Sequence, residues 1–503
     1  MIPRVDLGRA PAERPTADPA AALLRRLDAR FLLPPPPDGA FAHLVVLGGP
    51  PGLAETVREA GIARRVSTAL PPDGSADALF LLRGARETPE KAARCLAPEG
   101  VAYLEKIPRG GRLRVTGRYA LLPGFDRPEA YVPFDPPGAR RWYAETLMPA
   151  WTPGKALRRA LSRRGLPLSR SFAVTAVAGP ERRMPVSVLD HPALPSWLKG
   201  LHPLLLAHGP DRVVILPFAP GGSSPEVVLK VPRLPLYNEK TEGEQVLLVH
   251  LRGRLERGTR NALPEPRGIY HVGDLAVGIE TCVAGRPLGQ RTGSVEDLMD
   301  AADWLAGFHQ RTEVQRAEWG AREAAEWLDG PLEDFRRAFV GGALDGLTAA
   351  VRRRSGELAG AALPIVCQHR DFTPWNLLRG DSGLRVIDWE GARPGPTLCD
   401  LLHFSTHWSE LALRAFDDEA RLRAFREVWI AHRGGEPGEA VRRAVATYCK
   451  ALRIDRRFVP LLLVAAWVEL ALRGPGLREA AYVQVLATEA DGLFGAWNEP
   501  GRP

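Results

Sequence analysis

Apolar residues fall in short runs over the first half of the chain and at helical intervals over much of the second. "HLVVLGG" (His43–Gly49), "DALFLL" (Asp77–Leu82), "VAYLEKI" (Val101–Ile107) and "RSFAVTAVAG" (Arg170–Gly179) are bounded by Gly, Pro or charged clusters, so they predict strands. Between them, "GLAETVREAG" (Gly52–Gly61), "TPEKAARCLAPEG" (Thr88–Gly100) and "TPGKALRRALSRRG" (Thr152–Gly165) have helical composition. Strands alternating with helices predict an α/β sheet covered on both faces.

A second pattern starts near Pro203. "PLLLAHG" (Pro203–Gly209), "RVVILPF" (Arg212–Phe218) and "EVVLKVP" (Glu226–Pro232) are separated by Gly/Pro turns and predict an antiparallel meander. An amphipathic helix over Thr241–Leu255 and a strand over Leu275–Val283 follow. From Ser294 onward the spacing is mainly helical. The longest apolar run, Val459–Leu472, has 14 residues and includes Glu469. A bilayer requires about 20 residues, so a buried helix is expected there and no transmembrane segment.

At 503 residues the chain exceeds one ordinary core, and its 45% apolar and 25% charged content is that of a folded protein. The expected organisation is an N-terminal extension over residues 1–35, a Rossmann-like domain over 36–185, a small sheet-based lobe over 200–285 and a helical lobe over 286–498. The fold class is thus α/β plus α+β. Cys95, Cys282, Cys367, Cys399 and Cys449 form no C-x-x-C pair, so neither a disulfide framework nor a zinc site is expected. With no apolar leader visible in the first thirty residues, a cytoplasmic location is the expectation.

Chemistry concentrates in "CQHRDFTPWNLLRGDSGLRVIDWE", Cys367–Glu390. Phosphoryl transfer from a nucleotide needs a carboxylate to accept or orient a hydroxyl, and oxygen ligands for a metal ion that bridges phosphates. Asp371 and Asn376 are five residues apart, so a single loop can present both. Asp388 ends an apolar run and supplies a second hard oxygen ligand. His369 is placed to anchor the loop. Upstream, Lys230 lies in the third strand of the meander. Glu244 lies in the next helix, on the stripe of Leu248 and Leu251, with Glu242 as its competitor for pairing with the lysine.

Over Pro203–Asp400 these residues resemble the aminoglycoside phosphotransferase/choline kinase family. "QHRDFTPWNLL" is similar to its catalytic loop, "VIDWEGARPGPTLCDL" to its metal-binding segment and "VAGRPL" to its post-hinge turn. The resemblance implies a two-lobed protein-kinase-like fold with a helical C-terminal lobe. It implies Asp371 as catalytic base, Asn376 and Asp388 as Mg²⁺ ligands, and Lys230 and Glu244 as the pair positioning ATP or GTP phosphates. Asp400 becomes a structural support for the loop, alongside His369, and the backbone near Glu280–Cys282 a contact for adenine. A protein kinase fits less well, because "DWE" replaces D-F-G and no A-P-E signature follows. No clear G-x-G-x-x-G loop covers the phosphates: "HGPD" lies between the first two strands of the meander and "GGSS" in the next turn.

The N-terminal order resembles a class I methyltransferase, with "LAPEG" leading into a strand, but the turn after the first strand is "GGPPG", stiffened by Pro50 and Pro51. A degenerate domain without methyl-donor cofactor is the expectation.

Charge adds one constraint. The net charge is +8, yet residues 1–200 carry 30 Lys and Arg against 19 Asp and Glu, while residues 201–503 carry 37 against 40. A polycationic acceptor is poorly matched to such a chain. The expected acceptor is a neutral or anionic small molecule with a hydroxyl, such as a sugar or glycan intermediate, and no nucleic acid. The basic segment 155–164, with Lys155, Arg158, Arg159, Arg163 and Arg164, offers a contact for a membrane surface or protein partner, or is simply a solvated helix face. The competing functional class is a catalytically weak nucleotide-binding scaffold or sensor.

Overall fold

The computed structural model describes residues 23–36, 39–126, 128–148, 159–160, 169, 171–179, 187–207, 209, 211–290, 293–339, 344–381, 383–473 and 477–497. The helix expected over Thr152–Gly165 and the basic segment 155–164 lie outside the described residues, apart from Arg159 and Ala160. The chain separates into two compact units. One is Ala17–His250 with Pro264–Val283; the other includes Leu251–Leu263 and Ala284–Pro503.

The first unit holds a sheet of twelve strands among the described residues: β1 (Phe41–Leu47), β2 (Ala63–Ser67), β3 (Ala76–Leu81), β4 (Leu96–Leu104), β5 (Leu113–Leu122), β6 (Ala130–Pro133), β7 (Phe172–Ala178), β8 (His202–Leu206), β9 (Arg212–Phe218), β10 (Val227–Pro232), β11 (Pro266–Val272) and β12 (Leu275–Thr281). Their order is β11-β12-β10-β9-β8-β6-β5-β7-β4-β3-β1-β2. β2, β1, β3 and β4 are mutually parallel, and β7 enters antiparallel between β4 and β5. β1 is buried at nearly every position, as a parallel strand covered on both faces must be. The meander β8-β9-β10 is antiparallel as its turns predict. β6 pairs with β8 through Ala130–Leu206 and Tyr131–Leu205, so strands of both expected N-terminal domains share one sheet.

One expected element is different. Thr88–Gly100 is not a single helix: only Pro89–Ala92 is α-helical, followed by a 3₁₀ turn at Ala93–Cys95, and Leu96 already begins β4. Leu96 pairs with Ala76 and Val101 with Ala78, so a register shift absorbs the Pro98-Glu99-Gly100 stretch. Sheet pairing thereby overrides local helical composition. β2, β5 and β6 are strands that the apolar pattern did not reveal.

Segment Arg25–Leu32, in the expected N-terminal extension, forms 3₁₀ turns whose residues Arg26–Leu32 are all buried. Its Leu27 and Phe31 share one apolar core with Leu44 of β1, Phe80 of β3, Leu121 of β5, Ile215 of β9, Leu229 of β10 and Ile279 of β12. The sheet thus curls around this segment, and its ends approach: a Cβ on Gly39, just before β1, would fall 2.7 Å from Gly273 Cα in the β11–β12 turn. Within this unit, helix α1 (Leu53–Glu59) follows β1 and helix α2 (Pro137–Thr146) follows β6. Helix α3 (Asn238–Arg254) covers the face of β10 and β12 away from the curled core. Its approach requires Gly278, where a Cβ would meet Thr241 Cγ2 at 2.8 Å.

The second unit is mainly helical. It includes α4 (Val295–Thr312), α5 (Cys399–Ala412), α6 (Gly435–Leu452), α7 (Phe458–Arg473) and α8 (Leu477–Thr488). α7 is the helix expected over Val459–Leu472, and Phe458–Val468 are all buried. Two small sheets carry the functional loop. β13 (Arg286–Pro287), β16 (Leu377–Gly380) and β17 (Gly383–Val386) form one; β14 (Gln315–Glu318), β15 (Ala362–Gln368) and β18 (Arg393–Pro396) form the other. No helix among the described residues is long and apolar enough to cross a membrane.

Candidate active site

Alternation along β10 turns Leu229 and Val231 into the curled core and Lys230 toward α3. Lys230 Nζ lies 2.5 Å from Glu244 Oε1 and 3.0 Å from Glu280 Oε1, while Arg212 Nη1 lies 3.0 Å from Glu244 Oε2. Glu244, not Glu242, is the partner; Glu242 sits beside His271 at the surface, 3.7 Å away. Among the described residues, two cations and two carboxylates meet in this buried cluster, where any charge left alone would carry a large desolvation penalty. Burial, opposed by Lys230 and reinforced by Glu244, pushes the Glu280 carboxyl up to about 7. Sequence reasoning treated Glu280 as a backbone position and overlooked Arg212. The available signal was register: Lys230 faces Gly278, so Glu280 is its diagonal neighbour across the strand pair. The N–H groups of Thr281 and Cys282 donate to Glu265 and Glu226 carbonyls, both at 2.9 Å, at the end of β12. Burial pushes the half-buried Cys282 thiol up to about 12.

In the second unit, β15 delivers His369 and the loop that follows. Arg370 and Asp388 both adopt left-handed backbone conformations, with φ of 67° and 71°, as does Leu398 at 77°. Such geometry is unfavourable for side chains with a Cβ and persists only where the surroundings impose it. Asp400 at the start of α5 holds the backbone at Arg370. Its Oδ2 accepts the His369 N–H at 2.6 Å and its Oδ1 the Arg370 N–H at 2.7 Å. The His369 ring donates from Nε2 to the Ile387 carbonyl at 3.0 Å and accepts the Asp371 N–H at Nδ1, 3.3 Å away. The imidazole thereby ties the loop to the chain segment that carries Asp388.

Within the loop, Asn376 Nδ2 donates to Asp371 Oδ2 and to the Asp371 carbonyl, and the Asn376 carbonyl accepts the Ile387 N–H at 3.0 Å. Asp371 is open at the surface, yet desolvation by the surrounding chain and then repulsion from Asp388 push its carboxyl up to about 7, opposed first by the Asn376 hydrogen bond. Asp400 is different. Burial alone would raise its carboxyl, but His309, His369 and the loop N–H hold it below the usual range.

Several participants were not singled out in the sequence. His309 Nε2 lies 3.5 Å from Asp400 Oδ2, and its Nδ1 bonds the Tyr448 hydroxyl, which also meets Thr397 Oγ1 at 2.7 Å. α4, α5 and α6 thus converge on one buried carboxylate. Glu469, the lone acid of the apolar α7 run, pairs with Arg370, Arg473 and Arg393. Arg473 Nη1 also donates to the Arg370 carbonyl at 2.7 Å. An acid inside an otherwise apolar helix was the only sequence signal for this cluster. Among the described residues, no group of three or more His, Cys, Asp or Glu is arranged around a metal position.

A comparison with curated proteins found no match. Among solved structures, a macrolide 2'-phosphotransferase from Brachybacterium faecium is 19% identical, with 60% of this chain and 95% of that one covered at a TM-score of 0.34. A glucosamine kinase is 17% identical, covering 58% and 92% at 0.35. A choline kinase from Cryptosporidium parvum Iowa II is 12% identical, covering 61% and 96% at 0.33. Residues 218–440, which include Lys230, Glu244, Glu280 and the Asp371 loop but not Arg212, match the model of the phosphotransferase enzyme family APH, and the family likeness read from the catalytic-loop residues is shown for that segment.

Proposed function

We propose that this protein is an ATP- or GTP-dependent phosphotransferase that moves the γ-phosphoryl group to a hydroxyl of a small molecule. The observation that carries the reading is the clamped loop, in which Asp371 and Asn376 are bonded to each other and Asp400 fixes the backbone behind them. Asp371 accepts and orients the acceptor hydroxyl; the proton passes to its carboxylate as the oxygen–phosphorus bond forms and the bond to the departing nucleoside diphosphate breaks. Lys230, set by Glu244, neutralises phosphate charge, and the backbone near Glu280–Cys282 contacts the base.

The donor set suits Mg²⁺. With Asn376 Nδ2 committed to Asp371, its Oδ1 is the amide atom left for a cation, and Asp388 adds a carboxylate. Mg²⁺ is commonly held by one or two such ligands together with substrate phosphates. The repulsion between Asp371 and Asp388 is also what a divalent cation relieves. Bound there, Mg²⁺ would supply positive charge to offset that of the phosphates. The acceptor is read as neutral or anionic, a sugar or glycan intermediate, because three guanidinium groups beside the loop share the single carboxylate of Glu469.

The first unit's parallel strands are read as a degenerate Rossmann-like arrangement without cofactor. Gly48 and Gly49 follow β1 at φ of 78° and 89°, but their Cβ space is already taken by Leu82 and Ala85 of the same unit.

A survey of nucleoside diphosphate release over hydroxylated metabolites, with Asp371→Asn as control, tests the reading. Acceptor-dependent release that the variant loses is expected. No acceptor-dependent release from a nucleotide-saturated enzyme across sugars, glycan intermediates and amino alcohols would leave a nucleotide-binding scaffold as the better account.

A further inference from the structure

Inside the curled sheet of the first unit, on the face of β10 opposite Lys230, lies a cavity of about 320 Å³. Val231 and Val277 form one wall, and Phe31, Phe41 and Ile62 another. This volume is at the lower end of the range for small-molecule sites, which are mainly apolar with a few placed polar groups. The buried polar residues lining it are Arg30 and Arg233, 8% and 2% exposed.

Among the described residues, the charges around Arg30 do not balance. Asp28 engages Arg233 with both oxygens, at 2.9 Å to Nε and 2.6 Å to Nη2. Arg30 reaches that carboxylate only at 3.9 Å, and otherwise donates to the Arg233 carbonyl at 2.7 Å and the Leu27 carbonyl at 3.3 Å. The next buried pair is already neutral, since Arg26 meets Glu105 at 3.0 Å. Two guanidinium groups thus share one carboxylate in an apolar interior, a situation that a bound anion relieves. Burial and the Arg233 charge, opposed by Asp28, pull the Arg30 side chain down to about 10. The rim limits the ligand's charge, because Glu59 and Asp274 border the cavity and are exposed.

We propose that this cavity binds a small amphipathic monocarboxylate, with the carboxylate on Arg30 and an alkyl or aryl body against Phe31, Phe41, Ile62, Val231 and Val277. Backbone carbonyls occupy part of the Arg30 fork but leave it the positive charge. The acidic rim repels dianions such as phosphate monoesters. The site is separate from the roles assigned to Asp371 and Asn376, and its test does not depend on phosphoryl transfer.

The test is calorimetric titration of the full-length protein with octanoate, phenylpropanoate and octanol. Saturable one-to-one binding of octanoate assigns an alkyl body, of phenylpropanoate an aryl one; either supports the site. The carboxylate should exceed the alcohol by about tenfold or more, the worth of one charge-assisted hydrogen bond. Arg30→Met should remove that preference. Ala60→Phe fills the cavity from its edge without touching the charge cluster, and should abolish binding even where Arg30→Met fails to fold. Absence of saturable binding by both acids, equal affinity for octanol, or undiminished binding in a folded Ala60→Phe variant overturns the proposal.

Discussion

Asn376 Nδ2 lies 2.7 Å from Asp371 Oδ2 and 2.9 Å from the Asp371 carbonyl oxygen, so one amide group holds that residue by both its side chain and its main chain. The bond fixes the direction of the Asp371 carboxylate, and it does not use Asn376 Oδ1. A base acts on the acceptor, whereas a metal ligand also stabilises the bound nucleotide.

Asp371→Ala is therefore expected to lower kcat by about a hundredfold to ten-thousandfold, the usual worth of acid–base assistance, with nucleotide affinity retained. Asp388→Ala should weaken Mg²⁺-nucleotide binding itself. Calorimetry on both variants checks this, and equal loss of nucleotide affinity in the two sinks the division of roles.

Asp400 should make the second unit acid-sensitive. Its folded carboxyl titrates lower than an unfolded one, near 3.9, so its stabilisation is complete above that value and disappears as pH falls through the lower folded value. Asp400→Asn removes the charge and leaves one loop N–H facing an amide NH₂ group. A loss of about 2–4 kcal/mol is expected at neutral pH, from unsatisfied buried donors and the released left-handed turn. Urea midpoints at neutral and acid pH measure it; parallel pH profiles for wild type and variant would contradict the linkage.

Lys230→Met leaves Glu244 and Glu280 buried together with Arg212 as their remaining cation. Breaking a buried ion pair in this way costs about 3–5 kcal/mol. Adding Glu280→Gln should recover part of the loss, because it removes the carboxylate whose partner was deleted. Denaturant titration of the single and double variants reads the coupling; simple additivity would show that Glu280 does not depend on Lys230.

S-adenosylmethionine should not bind. Arg26 and Glu105 pair at the carboxyl end of β4, where Glu105 also accepts the Arg83 N–H at 2.6 Å, and the glycines after β1 pack against Leu82 and Ala85. The crevice in which open α/β sheets take ligands is thus occupied by the protein's own groups. A thermal shift that saturates with this cofactor would show the opposite.

Kanamycin-like aminoglycosides are expected to be poor acceptors, with kcat/KM below about 10⁴ M⁻¹s⁻¹, the lower end for natural substrates. A polycation gains nothing from the guanidinium groups around Glu469. Steady-state kinetics with such compounds, beside sugars and sugar phosphates, decides the matter.

What could be read in the chain alone was local. The apolar runs at Arg212–Phe218 and Glu226–Pro232, the apolar helix at Val459–Leu472 and the five-residue separation of Asp371 and Asn376 depend on neighbours in sequence, and propensity and loop geometry act over that range. The Thr88–Gly100 helix failed because strand pairing with Ala76 and Ala78 outweighed local preference. Only the tertiary structure decided how residues far apart combine: Asp28 with Arg233 across 205 positions, Arg26 with Glu105, and His309 and Tyr448 behind Asp400. Periodicity identifies which side of an element faces inward, but not which distant group meets it there. For buried charges that partner is decisive, because its presence separates a stable pair from an intolerable desolvated ion.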